Sequence, residues 1–183
     1  TTVAAFGVAS RIESFGMIAL MALSSSIAPF IGQNWGANQY MRVRKAMQLS
    51  FMFSLFWGAM VAVILVPSSQ WLVALFNQNP EVIEIAVRYL WIVPLSYGSA
   101  GIIQIASSIF NALGKPIPSI IMTVLRMFVL YIPLAYLGGR FFGVNGIFAA
   151  ATIANVAVGI GAFIWTQRTC SLKDVSSQKA ASL

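Results

Sequence analysis

The feature that most constrains this chain is a succession of apolar stretches long enough to cross a bilayer. A transmembrane helix needs about 20 consecutive, predominantly apolar residues, and five stretches of the 183-residue sequence meet or approach that length. They cover residues of about 3–32 (free of charge from Ser14 onward), 46–67, 89–111, 117–139 and 141–167, and Arg126 is the one charge inside the fourth. In hydrocarbon every backbone N–H and C=O must find a partner within the protein, which makes each such stretch a helix. The composition agrees: 59% of residues are hydrophobic and 8% charged, against about 45–50% and 25% in a soluble domain. The expected fold is therefore all-α, a polytopic transmembrane bundle of five spans. The membrane domain would occupy 1–168 and a polar tail 169–183, disordered from Ser171 onward on its Ser/Lys/Ala content. Soluble enzymes are excluded. A nucleic-acid partner is excluded as well, because the basic residues border apolar runs instead of forming a solvated face interleaved with aromatics.

Those basic residues orient the bundle. Arg42, Arg44 and Lys45 follow the first span, Lys115 follows the third, and Arg168, Lys173 and Lys179 follow the fifth; the opposite side holds Arg88 and Arg140. Seven against two puts the first group, and the C-terminus, in the cytoplasm. The expected location is the plasma (inner) membrane, multi-pass. The N-terminus then lies outside, yet Thr1 and Thr2 offer no basic region that would translocate it. The expectation is that an earlier span precedes them and that the chain is a fragment, the C-terminal part of a longer protein. Between the second and third spans, 68–80 reads as a short amphipathic piece in the outer interface, with Trp71 at headgroup level.

Ionisable groups at membrane depth are the default functional candidates, and here they are Arg11, Glu13 and Arg126. Arg11 and Glu13, two apart, do not face each other on a helix. Glu13 has two readings. Facing an internal cavity, its carboxylate would bind Na+, a proton or a cationic substrate. Counted back about 20 residues from Gln33, it would instead lie at the outer boundary, solvated by water. Arg126 lies about 14 Å into its helix from Ile117, a depth suited either to pinning carbonyls or a helix end, or to meeting substrate. Tyr97 and Gln104, on one face of the third span, are weaker cavity candidates, as are Tyr131 and Asn155; each has an equally simple packing role. Pro29, Pro94 and Pro133 bend spans one, three and four, either as static kinks or as hinges. Ala151, Asn155 and Gly159 form a small-residue stripe for close helix packing.

Intramembrane enzymes fail on residue types. The chain has no His, a lone Cys170 and no second mid-membrane carboxylate, so metal, Ser-His and aspartyl catalysis all lack their groups. A transporter remains. The run Ala4-Ala5-Phe6-Gly7-Val8-Ala9-Ser10-Arg11-Ile12-Glu13-Ser14 is followed by Ser26-Ile27-Ala28-Pro29-Phe30-Ile31-Gly32-Gln33-Asn34-Trp35-Gly36-Ala37. Together with Phe110-Asn111-Ala112-Leu113-Gly114-Lys115-Pro116 and Arg126, these resemble the multidrug and toxic compound extrusion (MATE) family over nearly the whole chain. The resemblance implies helices eight to twelve of a two-lobe, twelve-helix antiporter. Such an antiporter expels cationic or amphipathic drugs against Na+ or H+, with no cofactor beyond that coupling ion and with the bilayer and the missing N-terminal lobe as partners. Some members carry coupling acids in helices seven and ten, others in helix one. The third span, the counterpart of helix ten, holds no acid, which leaves Glu13 or the missing lobe. Alternatives are a flippase for lipid-linked oligosaccharide from the same superfamily and a non-transporting helical membrane subunit. The Gln33-Asn34 exit has a purely local reading: Gly32 and Gly36 ease the turn while the two amides bond freed carbonyls.

Overall fold

The computed structural model describes residues 2–170 in full and, over 171–181, the backbone alone; the tail reading for 171–183 lies outside the fully described residues. The chain is helical throughout: α1 (Thr2–Gly36), α2 (Tyr40–Phe76), α3 (Pro80–Ile92), a 3-10 turn (Val93–Ser96), α4 (Tyr97–Ala112), α5 (Pro116–Val124), a π-helical segment (Leu125–Tyr131) and α6 (Ile132–Ala181). Grouped by continuity, these make four apolar stretches of spanning length where five are expected. The difference lies in the last stretch, Pro116–Cys170, which carries a fold within it. Gly143 leaves the helical region, with φ 62° and ψ −142°, a conformation open to glycine at no steric cost. A Cβ built on Gly138 would lie 2.6 Å from the Gly146 carbonyl oxygen. Eight residues along a straight helix are about 12 Å apart, so the chain doubles back at Gly143 and its two legs occupy the expected fourth and fifth spans.

Two helix exits close in the same way. After α1, the Asn38 N–H donates to the Trp35 carbonyl (3.1 Å) and Gln39 N–H to that of Asn34 (2.8 Å), while Asn38 takes φ 56°. After α4, Gly114 (φ 69°) and Lys115 repeat the pattern on Asn111 and Phe110. Both are Schellman motifs, which satisfy carbonyls a helix end would otherwise orphan. The left-handed residue of the first exit is thus Asn38, two places beyond the expected Gly36. The Asn34 amide does not reach a carbonyl freed at the helix end: its Nδ2 donates back to Phe30 O, inside α1, at 2.8 Å. The piece at 68–80 is not a separate interfacial helix: α2 runs through Pro67 to Phe76, with Ser69 and Val73 buried. The Trp91 indole donates to the Ser69 hydroxyl at 3.0 Å, tying this end of α2 to α3.

The central helix is α4, packed between α1, α2 and α6. Glycines permit that density. A Cβ on Gly58 would fall 2.2 Å from the Gly98 nitrogen, and one on Gly159 2.9 Å from Ser99 Cβ. Hydroxyls then bond across the contacts: Ser54 to the Gly98 carbonyl (2.8 Å), and Ser24 to the Gln104 carbonyl (3.2 Å) and Ser108 hydroxyl (2.7 Å). Where Pro94 interrupts the third stretch, Ser96 Oγ donates to Val93 O (2.9 Å), Thr152 Oγ1 to Ile92 O (3.1 Å) and Asn155 Nδ2 to Ser96 Oγ (3.0 Å). Neighbouring side chains so restore what the break releases.

Gly58→Ala forces α2 away from α4, and we expect a loss of about 3 kcal/mol, or roughly 5–10 °C in melting temperature of the detergent-purified chain. Gly7→Ala, whose added Cβ meets nothing within 4 Å, is the control and leaves the transition in place.

Candidate functional site

A cavity of about 560 Å³ opens between the first turns of α1, α3, the π segment and the second leg of α6. Its walls are mainly apolar, from Val3, Phe6, Met127, Val144, Ile147, Phe148, Ala151 and Ala154, and its polar lining comes from Thr2, Glu13, Tyr89, Arg126, Tyr131 and Asn155. A few polar groups in an apolar hollow is the usual make-up of a small-molecule site.

At its centre Tyr89 donates its hydroxyl proton to Glu13 Oε2. α1 presents Glu13 half-buried, a position set by Ala5, Ala9 and Ile12 packing on the inward face of the same helix. Tyr89 is held from both sides by edge-on rings, Phe6 at 5.8 Å and Phe148 at 5.0 Å between centroids. A carboxylate bonded to a phenol inside an aromatic frame is a localised negative charge with spare acceptor capacity.

Arg126 faces the same cavity from the π segment. It makes no hydrogen bond or ion pair among the described residues, and none joins it to Glu13. The π segment has a visible cause downstream. Pro133 has no N–H to give and its ring crowds the preceding turn, and Ile132 N–H bonds Met127 O, five residues back. Single turns of this kind often mark functional positions in helices. The cavity thus holds one negative and one positive group, unneutralised by each other.

Of the residues singled out in the sequence, Glu13, Arg126, Tyr131 and Asn155 come together here, although Asn155 has its amide committed to Ser96. Tyr97, Gln104 and Arg11 do not line the cavity. Tyr97 and Gln104 share a face of α4, and α4 is the packed centre of the bundle. Tyr97 is 1% exposed, its hydroxyl without a partner, and its ring meets α1 at Gly16. Gln104 is half-buried beside Ser24. Arg11 is exposed on the side of α1 away from the cavity. The small-residue stripe divides between two tasks: Gly159 packs on Ser99 while Ala151 lines the cavity. Sequence reasoning misses Tyr89, Phe6 and Phe148. Tyr89 is a polar-tipped aromatic beside Arg88, but nothing local pairs it with an acid 76 positions away. Among the described residues no three His, Cys, Asp or Glu side chains cluster as metal ligands.

Comparison with known proteins gives a consistent set of relatives. The family profile described as MatE matches residues 1–137. A protein named FAD transporter from Shewanella oneidensis is 39% identical over 170 residues, which are 93% of this chain and 38% of that protein. The probable multidrug resistance protein YoeA of Bacillus subtilis is 24% identical over 133 residues, 73% of this chain and 29% of its own length. Among solved structures, the Vibrio cholerae MATE transporter VcmN in its bent form superposes with a TM-score of 0.91 at 31% identity, covering 96% of this chain and 40% of that one. The chain therefore spans well under half the length of these relatives.

The Glu13–Tyr89 bond is testable by a double-mutant cycle of Glu13→Gln and Tyr89→Phe on thermal unfolding. A hydrogen bond to a charged group gives a coupling of about 1.5–3 kcal/mol, whereas a cycle that closes additively means the two groups do not interact.

Proposed function

The chain belongs to the MatE family, and from that premise we propose that it supplies one lobe of a secondary active exporter that expels cationic or amphipathic compounds in exchange for Na+ or H+. The observation that carries the reading is Glu13, a carboxylate held by Tyr89 inside an apolar, aromatic-walled hollow of about 560 Å³. A lone acid in such a place attracts a cation or takes up a proton. Entry of either neutralises a charge that the surrounding apolar wall disfavours. A proton or Na+ arriving at Glu13 then competes with a cationic substrate for the same charge, which is the elementary requirement of exchange. Aromatic faces around the acid suit organic cations in particular.

The match to 38% of the Shewanella relative supports a partner lobe supplied by the remainder of a longer protein. Alternating access would come from that lobe rocking against this one around the shared cavity. The surplus of Lys and Arg at the α1–α2 and α4–α5 corners supports a plasma-membrane protein with that end, and the C-terminus, in the cytoplasm.

One observation favours a second reading of the substrate. Arg126 offers the cavity an unpaired guanidinium, a planar donor suited to phosphate or carboxylate, and one relative is named an FAD transporter. In that reading the cargo is an anionic, planar nucleotide of flavin type, with Arg126 on the phosphates and the aromatic wall on the ring.

Efflux from cells carrying the full-length parent separates the two. With a cationic dye, and with and without a Na+ gradient, Glu13→Gln is expected to lower efflux at least tenfold at matched expression, while Arg126→Gln leaves it within about twofold. Loss of flavin release in Arg126→Gln, with no dye efflux by the parent, replaces the first reading by the second. Dye efflux unchanged by Glu13→Gln removes Glu13 from the coupling.

A further inference from the structure

At the end of the bundle opposite the cavity, Arg42, Arg44 and Lys45 lie within four residues at the start of α2 and, with Met41 and Gln48, surround a depression of about 490 Å³. None of the three cations makes an ion pair or hydrogen bond among the described residues. The sequence shows why. No acidic residue occurs between Glu13 and Glu81, and those two, with Glu84, sit at the far end of the bundle. The one acid on the tail, Asp174, is flanked by Lys173. Three like charges within four residues and with no counter-charge repel one another, and an external anion would relieve that repulsion.

The rest of the helix face says what kind of anion. Lys45 and Gln48 share a face with Met52 and Phe56 at helical spacing. Met52 is 66% and Phe56 67% exposed, apolar surface directly beneath the basic rim. Cations above a bare apolar stripe, on one helix and at a membrane boundary, match a molecule whose phosphate is joined to hydrocarbon. We propose that this depression binds the headgroup phosphate of an anionic phospholipid, with Lys45 and its i−3 neighbour Arg42 on the phosphate oxygens, Arg44 adding positive charge at the rim, and the Met52–Phe56 stripe against an acyl chain. Basic pockets at helix ends recognise lipid headgroups by this chemistry, and it is independent of the cargo carried by the cavity.

The test is native mass spectrometry of the detergent-purified chain with added phosphatidylglycerol or phosphatidylcholine. The expected result is retention of phosphatidylglycerol adducts with a preference of roughly tenfold to a hundredfold, the scale of three juxtamembrane cations. That preference is lost in the Arg42→Gln/Arg44→Gln/Lys45→Gln variant and kept in Arg140→Gln at the other end. A charge-preserving Arg42→Lys/Arg44→Lys variant retains it, which separates loss of charge from misfolding. Equal retention of the two lipids, or a preference that survives the triple substitution, overturns the proposal. So does displacement of the lipid by inorganic phosphate at equal concentration, which would make this a site for the free ion with no use for the acyl stripe.

Discussion

Hydrocarbon offers no hydrogen bonds, and the architecture follows from that one deficiency. Several of the places where a helix of this bundle ends or breaks are answered by a specific group. Asn38 and Gly114 close two exits with the same backbone motif, and Ser96, Thr152 and Asn155 attend the interruption at Pro94. The π segment ahead of Pro133 is another such answer, since a wider turn lets Ile132 reach Met127 where ordinary pairing is disturbed. A chain with so few polar side chains spends most of them on its own backbone. Glu13, Tyr89, Arg126 and Tyr131 stand out because they line one cavity and that demand does not account for them.

Packing supplies the second requirement. Helices in lipid gain little from hiding apolar surface, since lipid tails are as apolar as leucine, and close contact must supply the difference. α4 meets this with glycines that let α2 and α6 approach at backbone distance and with hydroxyls that bond across the gap. The same density keeps Tyr97 and Gln104 out of the cavity. The cavity that holds Glu13 and Arg126 lies instead where α1, α3, the π segment and the second leg of α6 meet.

Much of the fold was legible in the sequence because its strongest signal, long uncharged apolar runs, is read one residue at a time. The positions of the helices and the candidacy of Glu13 and Arg126 came from local chemistry. The misses share a different character. The Asn38 turn looked like a Gly36 turn because glycine is the commoner left-handed residue, and only backbone angles tell the two apart. The fourth and fifth spans run on in helical continuity because a single residue, Gly143, makes the reversal, three places beyond the boundary at Arg140. Tyr89 was invisible as a site residue because its meaning lies in a partner on another helix. Residues separated along the chain acquire roles through tertiary contact, which single-sequence reading does not reach.

The glycine contact within α6 has a mechanical corollary. Gly138 and Gly146 press backbone to backbone close to the reversal, pinning the two legs together at one extremity, whereas Arg126 lies about 18 Å farther along the first leg. The pair resembles tongs riveted near the tip, with the guanidinium out on one arm. A rotation of only about 10° about that rivet carries Arg126 through about 3 Å, the length of a hydrogen bond. A small change of angle near the turn is thereby geared into making or breaking contact with whatever occupies the hollow.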